Sequence, residues 1–485
     1  MNSNVANQSF LANPGETTSA RWALVSLSLT ILLSSLGTSI ANVSLPTLAK
    51  VFKASFQEVQ WIVIAYLVAI TTLIVSVGRM GDLLGRRRLL LMGLLVFISA
   101  SACCGMASEL WQLIVARVAQ GLGAAIMMAL TMAFVGDIVP KEKTGSAMGV
   151  LGTMSAIGTA LGPSLGGLLI TGLGWQAIFL INLPLGILAL FWAYRYLPVE
   201  RSQSKSPVRF DHSGTLVLML TLAVYALAMT VGHGKFGLSN LLLVCISALG
   251  VGVFIFVESK VKFPLIRLAL FRNPTLSAGF ATSSLVATVM MATLVVGPFY
   301  LAGALGLAAA KVGLVMSCGP LVAALTGVPV GRMVDKFGTY STTIIGLLGM
   351  VTGSALLPLM PISFGIPGYV APLVVITAGY ALFQVANNTS VVGNIQSEER
   401  GVVSGLLNLS RNLGLITGAS VMGAIFAFGS GDINVAYANP ASVSAGMRIT
   451  FGVATLLILL AIAIVLIGQR VSRREKPTAI KSHES

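Results

Sequence analysis

Charge is scarce in this 485-residue chain, where Asp, Glu, Lys and Arg together make up only 9% of residues. A soluble domain carries about 25%, so a water-exposed globule is excluded. The fifteen acids are distributed so that none falls near the middle of an apolar run, and Glu58, Glu109 and Asp137 at run ends come nearest. Three histidines, His212, His233 and His483, lie outside the apolar runs without metal-ligand neighbours. The four cysteines, Cys103, Cys104, Cys245 and Cys318, sit inside apolar runs, where cysteine behaves as a small buried apolar residue. No disulfide framework, metal set or cofactor follows from them. A Gly-x-x-x-x-Gly-Lys-Ser/Thr phosphate loop is also missing, which argues against ATP drive.

What the chain has instead is apolar length, with 56% hydrophobic residues and a mean hydropathy of +0.92. A membrane span needs about 20 apolar residues, and windows of that size predict fourteen transmembrane helices. They cover roughly 22–45, 59–78, 89–107, 111–135, 145–170, 176–196, 214–232, 239–257, 275–301, 312–330, 341–360, 371–393, 402–428 and 448–468. The first run is too long for a signal peptide and follows no basic segment, so it is expected to remain as a helix. An even number of spans predicts both termini on one side. Of the 30 Lys and Arg residues, 23 then fall in segments on that side, five in the opposite loops, and two, Arg117 and Arg411, inside spans. This bias marks the terminal side as cytoplasmic. The formal charge of +15 is spread too thinly among apolar runs to make a nucleic-acid face. The lipid bilayer is the expected partner, and any activity must reside in the helical bundle.

One short hairpin recurs. Gly78-Arg79-Met80-Gly81-Asp82-Leu83-Leu84-Gly85-Arg86-Arg87-Arg88 joins the second and third spans. The same Gly, Arg, Met, Asp and Gly return at identical offsets in Gly331-Arg332-Met333-Val334-Asp335-Lys336-Phe337-Gly338, between the tenth and eleventh. The chain is thus read as two related halves. The expected domains are a tail at 1–21, a six-helix bundle at 22–196, a linker with two extra transmembrane helices at 197–274, a second six-helix bundle at 275–468, and a tail at 469–485.

Three further patterns stand out. Arg117-Val118-Ala119-Gln120-Gly121-Leu122-Gly123 places a guanidinium some six residues into a span. A charge at the centre of a span costs about 2.5 kcal/mol or more, so Arg117 must face a cavity or a partner, unless it snorkels to the interface. Gly158-Thr159-Ala160-Leu161-Gly162-Pro163-Ser164-Leu165-Gly166-Gly167 spaces glycines by four around a proline, which allows close helix approach and a kink. Leu36-Gly37-Thr38-Ser39-Ile40-Ala41-Asn42-Val43-Ser44-Leu45-Pro46 closes the first span. In the second half, Gln384, Asn387 and Asn388 share a helix, and Asn408 and Arg411 share the next span. These amides either bridge helices or touch a substrate.

Together these patterns resemble the major facilitator superfamily, and within it the fourteen-helix drug:proton antiporter branch, over roughly residues 20 to 470. Asp211-His212-Ser213-Gly214 and Phe263-Pro264-Leu265-Ile266 resemble that branch's connecting segments. The resemblance implies an all-α membrane protein of the major facilitator fold, two six-helix bundles plus two inserted helices. It implies no enzyme but a secondary transporter exporting small amphiphilic compounds by proton antiport with alternating access, monomeric, in a bacterial cytoplasmic membrane. It casts Gly78, Asp82, Gly85, Arg86 and Asp335 as a cytoplasmic gate and Gly158, Gly162, Pro163, Gly166 and Gly167 as the antiporter motif. Arg117, Gln120, Asn42, Gln384, Asn387, Asn388, Asn408 and Arg411 become candidates for substrate or coupling. The chain departs from the branch at Gly37, where many relatives carry an acid. Two guanidiniums and no mid-span carboxylate would give the cavity a positive potential, favouring neutral, zwitterionic or anionic cargo. The alternative function is export of an endogenous anionic metabolite; a channel is a further alternative.

Overall fold

A computed structural model describes residues 14–138, 144–198, 212–230, 237–261, 271–393, 400–431 and 439–481. Every regular element in these residues is helical. The order is α1 (Pro14–Val51), α2 (Phe56–Leu84), α3 (Arg86–Met106), α4 (Leu110–Ile138), α5 (Thr144–Leu173), α6 (Ala177–Leu180), α7 (Asn182–Tyr196), α8 (His212–Thr230) and α9 (Leu238–Lys260). It continues with α10 (Pro274–Gly303), α11 (Ala309–Met316), α12 (Cys318–Leu359), α13 (Gly365–Gly393), α14 (Arg400–Thr417), α15 (Gly423–Ser430) and α16 (Pro440–Lys481). A five-residue π-helix, Gly418–Met422, joins α14 to α15. The bilayer forces this outcome, because a span must satisfy its backbone hydrogen bonds internally.

Among the described residues fourteen apolar helical crossings result, twelve of them long enough to span a membrane and two, at Ser213–Ala228 and Ala309–Ala323, shorter. The sixth is α6 with α7, and α12 contributes to two, because Gly338 takes φ 77° in its interior and breaks it. Local signals set several ends. Ser55 and Glu58 form a reciprocal cap at the start of α2, with Ser55 Oγ accepting from Glu58 N at 3.3 Å and Ser55 N donating to Glu58 Oε2 at 2.6 Å. Asn273 Oδ1 accepts from Thr275 N and Leu276 N just ahead of Pro274, a favoured first helical residue. The helices at both ends run beyond their apolar windows, to Pro14 and to Lys481.

The crossings form two six-helix bundles with α8 and α9 inserted between them in sequence. In the first bundle α5 lies along α1 and α4 lies between α2 and α3; in the second, α13 packs along α12, and α10 meets α14 and α16. Burial separates central helices from lipid-facing ones. In α2 and α10, 78% of the apolar window is buried, against 17% in α9. The inserted α8 touches α2 of the first bundle and reaches the second through Tyr225 Oη, which lies 3.1 Å from Thr417 Oγ1.

The two apolar cores are unequal. One, around Leu27, Tyr66, Phe97 and Phe134, stays within the first bundle. The other runs from Val43, Phe56 and Phe179 through Leu222 of α8 to Phe280, Phe299 and Phe426 of the second bundle. The rings of Phe56, Phe299 and Phe426 meet at 4.6, 5.2 and 6.5 Å between centroids. All three residues lie at the end of the bundle opposite the termini, and there they weld the halves together.

Candidate functional site

Arg117 projects from α4 into the first bundle and is fully buried. Its Nε donates to Ile62 O at 2.9 Å, and its Nη1 donates to Gly37 O at 3.1 Å and to Gln120 Oε1 at 2.6 Å. Gln120 Nε2 passes the chain on to Ser101 Oγ at 2.7 Å, which donates to Phe97 O. Directly and through Gln120, this side chain thereby ties α1, α2 and α3 to α4. The guanidinium also stacks 4.0 Å from the centre of the Tyr66 ring, whose hydroxyl donates to Ser34 O. The helices come close enough for this because Gly121 lies against Tyr66 O, and Gly123 against Gly93 O and Phe97. Every acceptor is neutral, and Nη2 has no partner. Arg117 therefore does not snorkel.

A cavity of about 240 Å³ lies in the second bundle, lined by Ser283 of α10, by Tyr380, Phe383, Gln384, Asn387 and Asn388 of α13, and by Leu407, Asn408 and Arg411 of α14. At 1.5 Å per residue, Asn408 and Arg411 stand about 12–17 Å along α14 from the terminal end, about a third of the way along the crossing that runs from α14 through α15. Arg411 Nε has no partner, and among the described residues no carboxylate lines the cavity. Asn387 is fixed by donating its Nδ2 proton to Gly279 O at 3.2 Å. The five second-half candidates are thus brought together on one wall system.

The arrangement corrects the expectation of a single positively charged chamber. Arg117 and Gln120 are absent from this cavity's lining and sit in their own closed network. Asn42 is also apart: it donates Nδ2 to Thr38 O and Ser39 O along its own helix, and its Oδ1 has no partner. Among the described residues the cavity wall belongs to α10, α13 and α14, with no contribution from the first bundle.

The glycine motif of α5 works on two faces. A Cβ at Gly158 would lie 2.6 Å from Leu32 O, one at Gly162 would collide with Ser39 Oγ, and one at Gly166 would lie 2.8 Å from Val43 Cγ1, so this ladder seats α1. Ser35 and Ser155 add a hydroxyl pair at 2.8 Å across the same seam. Gly167 and Pro163 turn the other way. Ala309 O presses on Gly167, and Pro163 O presses on Gly313, so the second bundle's α11 rests on them at the end opposite the termini. Ser164 lies inside the continuous helix and donates to Leu161 O. Its Gly-Pro-Ser-Leu-Gly setting is therefore no nucleophile elbow, which needs a strand-to-helix turn.

The repeated hairpins keep their likeness in three dimensions. Gly85 takes φ 86° between α2 and α3, and Gly338 takes φ 77° at the matching point in α12. Both conformations suit glycine. Arg86 opens α3, and Asp335 is exposed on α12. The side chains of Gly78 and Asp82 lie outside the described residues. Next to Arg86, Arg87 donates to Tyr194 O and stacks 5.3 Å from that ring, joining α3 to α7.

Several participants escaped the sequence reading. Tyr380 precedes Gln384 by four residues and Asn387 by seven, so its place on the cavity stripe had a periodic signal. Ser283 had none. Gln57 and Gln60 are buried in the first turns of α2, all four amide heavy atoms without a partner, and Gln60 presses on Gly423 of the second bundle.

The chain matches the Major Facilitator Superfamily over residues 27–419. It is 28% identical to the multidrug transporter protein MdtP of Bacillus subtilis strain 168, over 87% of this chain and 78% of that protein. It is 30% identical to the riboflavin transporter RibZ of Clostridioides difficile strain 630, over 84% of this chain and 88% of that protein. A crystal structure of a bacterial homolog of the human lysosomal transporter Spinster, in an inward-facing conformation, superposes with a TM-score of 0.66 at 15% identity, covering 95% of this chain and 98% of that one.

Proposed function

The chain belongs to the Major Facilitator Superfamily, and on that premise we propose that it exports small amphiphilic compounds by alternating access, exchanging them for protons. The observation that carries this reading is the polar cavity around Arg411 inside the second bundle, in a protein whose two halves are welded at the end opposite the termini. A solute binding there meets a closed path on one side. Rocking of the halves about the cavity would open that path.

In this reading the terminal end is cytoplasmic, as the Lys and Arg bias suggests, and the cavity loads from inside. The Gly167–Ala309 and Pro163–Gly313 contacts act as the outer seal, which parts for release. The two hairpins, with Gly78, Asp82, Gly85, Arg86 and Asp335, act as the inner gate. The transport unit comprises the bundles at 22–196 and 275–468, joined by the linker at 197–274, and works as a monomer. Export of foreign compounds is supported by the relative named as a multidrug transporter. Movement of an endogenous metabolite is the second reading, favoured by the relative named as a riboflavin transporter.

Everted membrane vesicles test the proposal. Energised vesicles should accumulate members of a dye and antibiotic panel, saturably, and collapse of the pH gradient should release them. Flux without saturation or counter-transport would replace the exporter with a channel.

A further inference from the structure

We propose that the Arg411 cavity recognises a small aromatic carboxylate, the guanidinium serving as the anion's fixed counter-charge. This rests on the exporter reading and names the cargo class for the same cavity.

A guanidinium inside a span is costly unless something offsets its charge. Arg117 shows how this chain handles such a group in a closed network: carbonyls and an amide take its Nε and Nη1 protons and an aromatic ring covers its face, leaving Nη2 alone unpartnered. Arg411 is treated differently. Its Nε is buried without a partner, its guanidinium lines a cavity, its neighbours in the wall are amides, hydroxyls and rings, and no acid among the described residues lines the space. A guanidinium facing such a space can grip a carboxylate with two parallel hydrogen bonds. The missing counter-charge is then supplied by the cargo.

Size and shape narrow the class. Drug-sized ligands fill pockets of about 300–1,000 Å³, so a cavity of about 240 Å³ takes one ring or two fused rings. Tyr380 and Phe383 offer aromatic surface for such a ring. Gln384, Asn388, Asn408 and Ser283 offer neutral donors and acceptors for ring substituents. A permanent cation would meet Arg411 with no carboxylate to balance it.

Three fluorescent probes of similar size separate the possibilities: 7-hydroxycoumarin-3-carboxylate, its 3-carboxamide, and N-methylquinolinium. Binding to the purified full-length protein and uptake into proteoliposomes are measured for each. The wild type should bind and move the carboxylate in preference to the other two. Arg411→Gln should weaken carboxylate binding by about ten- to hundredfold, the usual range for a charge-assisted contact, and leave the carboxamide nearly unchanged. Arg411→Lys should recover part of the loss. Equal wild-type affinity for carboxylate and carboxamide, or a preference that survives Arg411→Gln, would overturn the proposal. If N-methylquinolinium or the carboxamide is still exported in that case, the exporter reading stands without it. If no probe binds and none of the vesicle panel is transported, both readings fall. Should Arg411→Gln not reach the membrane, the wild-type comparison of carboxylate with carboxamide decides alone.

Discussion

Arg117 and Tyr66 form a stacked pair, the guanidinium carbon 4.0 Å from the ring centre, buried in the first bundle with only neutral groups to receive its protons. Lysine cannot reproduce this. It lacks the planar fork that reaches carbonyls on two other helices while lying flat on a ring. Arg117→Lys and Arg117→Ala should both abolish transport, and because the side chain ties four helices, both should also lower the melting temperature in detergent. The expected loss is about 3 kcal/mol or more, the scale for deleting a buried, multiply bonded charge. Wild-type stability in either variant would show that α4 is held by packing alone.

Gly37 offers the complementary experiment. A Cβ there would lie 3.3 Å from both Tyr66 Oη and Phe97 Cζ, so Gly37→Ala should be tolerated at a cost of about 1 kcal/mol or less. Gly37→Asp introduces a carboxylate beside the Arg117–Tyr66 stack and supplies the mid-span acid that the first bundle lacks. Transport by Gly37→Asp should acquire a new acid-side pH dependence. A pH profile identical to that of the wild type would mean the carboxylate never engages Arg117.

Two glycine contacts mark the two faces of α5. Gly313 meets the backbone oxygen of Pro163 across the halves, and Gly162 meets Ser39 within the first bundle. Gly313→Ala should push the halves apart and raise the reactivity of a cysteine placed at Phe426, at the end opposite the termini. Gly162→Ala disturbs only the α1–α5 seam, costs about 1–3 kcal/mol by overpacking, and should be partly rescued by Ser39→Ala, because the collision there is with a removable hydroxyl. Rescue of Gly313→Ala by the same substitution would contradict the assignment of two separate faces.

Gln60 should behave in the opposite sense to most buried residues. Both polar atoms of its amide are unpartnered in the sealed state, a condition that costs about 1–3 kcal/mol. Opening the outer end would let water reach the amide. Gln60→Met removes the penalty, so the variant should melt higher and turn over more slowly. A variant that is both less stable and equally fast would show that the amide is satisfied in the sealed state.

These tests also mark what the amino-acid order conveys. Fourteen spans and the repeated hairpin were legible, because a bilayer demands uninterrupted apolar length and the matched glycines at 85 and 338 carry the same backbone turn. The cavity stripe was legible too, since Gln384, Asn387 and Asn388 recur at helical spacing and Asn408 and Arg411 sit one turn apart. The separation of the two arginines was not. Both are lone cations in apolar spans, and only the approach of Tyr66, Gly37 and Ile62 from other helices shows that Arg117 is held in a network of its own. The breaks in the sixth and tenth crossings, at Ile181 and Ser317, did have a signal, since each falls three residues before a proline, Pro184 and Pro320, that removes a helix hydrogen bond. Gln57 and Gln60 did not announce an interface, because two amides near a helix start read as residues of a wet loop.

Alternating access is the claim on which the rest depends, and a distance across the outer end tests it most directly. Lys53 and Lys311 are exposed there, one on each half. Spin labels at cysteines placed at these positions, in a background without the four native cysteines, report their separation by double electron–electron resonance in proteoliposomes. The account predicts one short distance at rest and a second, longer population when transported substrate and a pH gradient are applied. A single short distance under every condition, in protein that still transports, would contradict it.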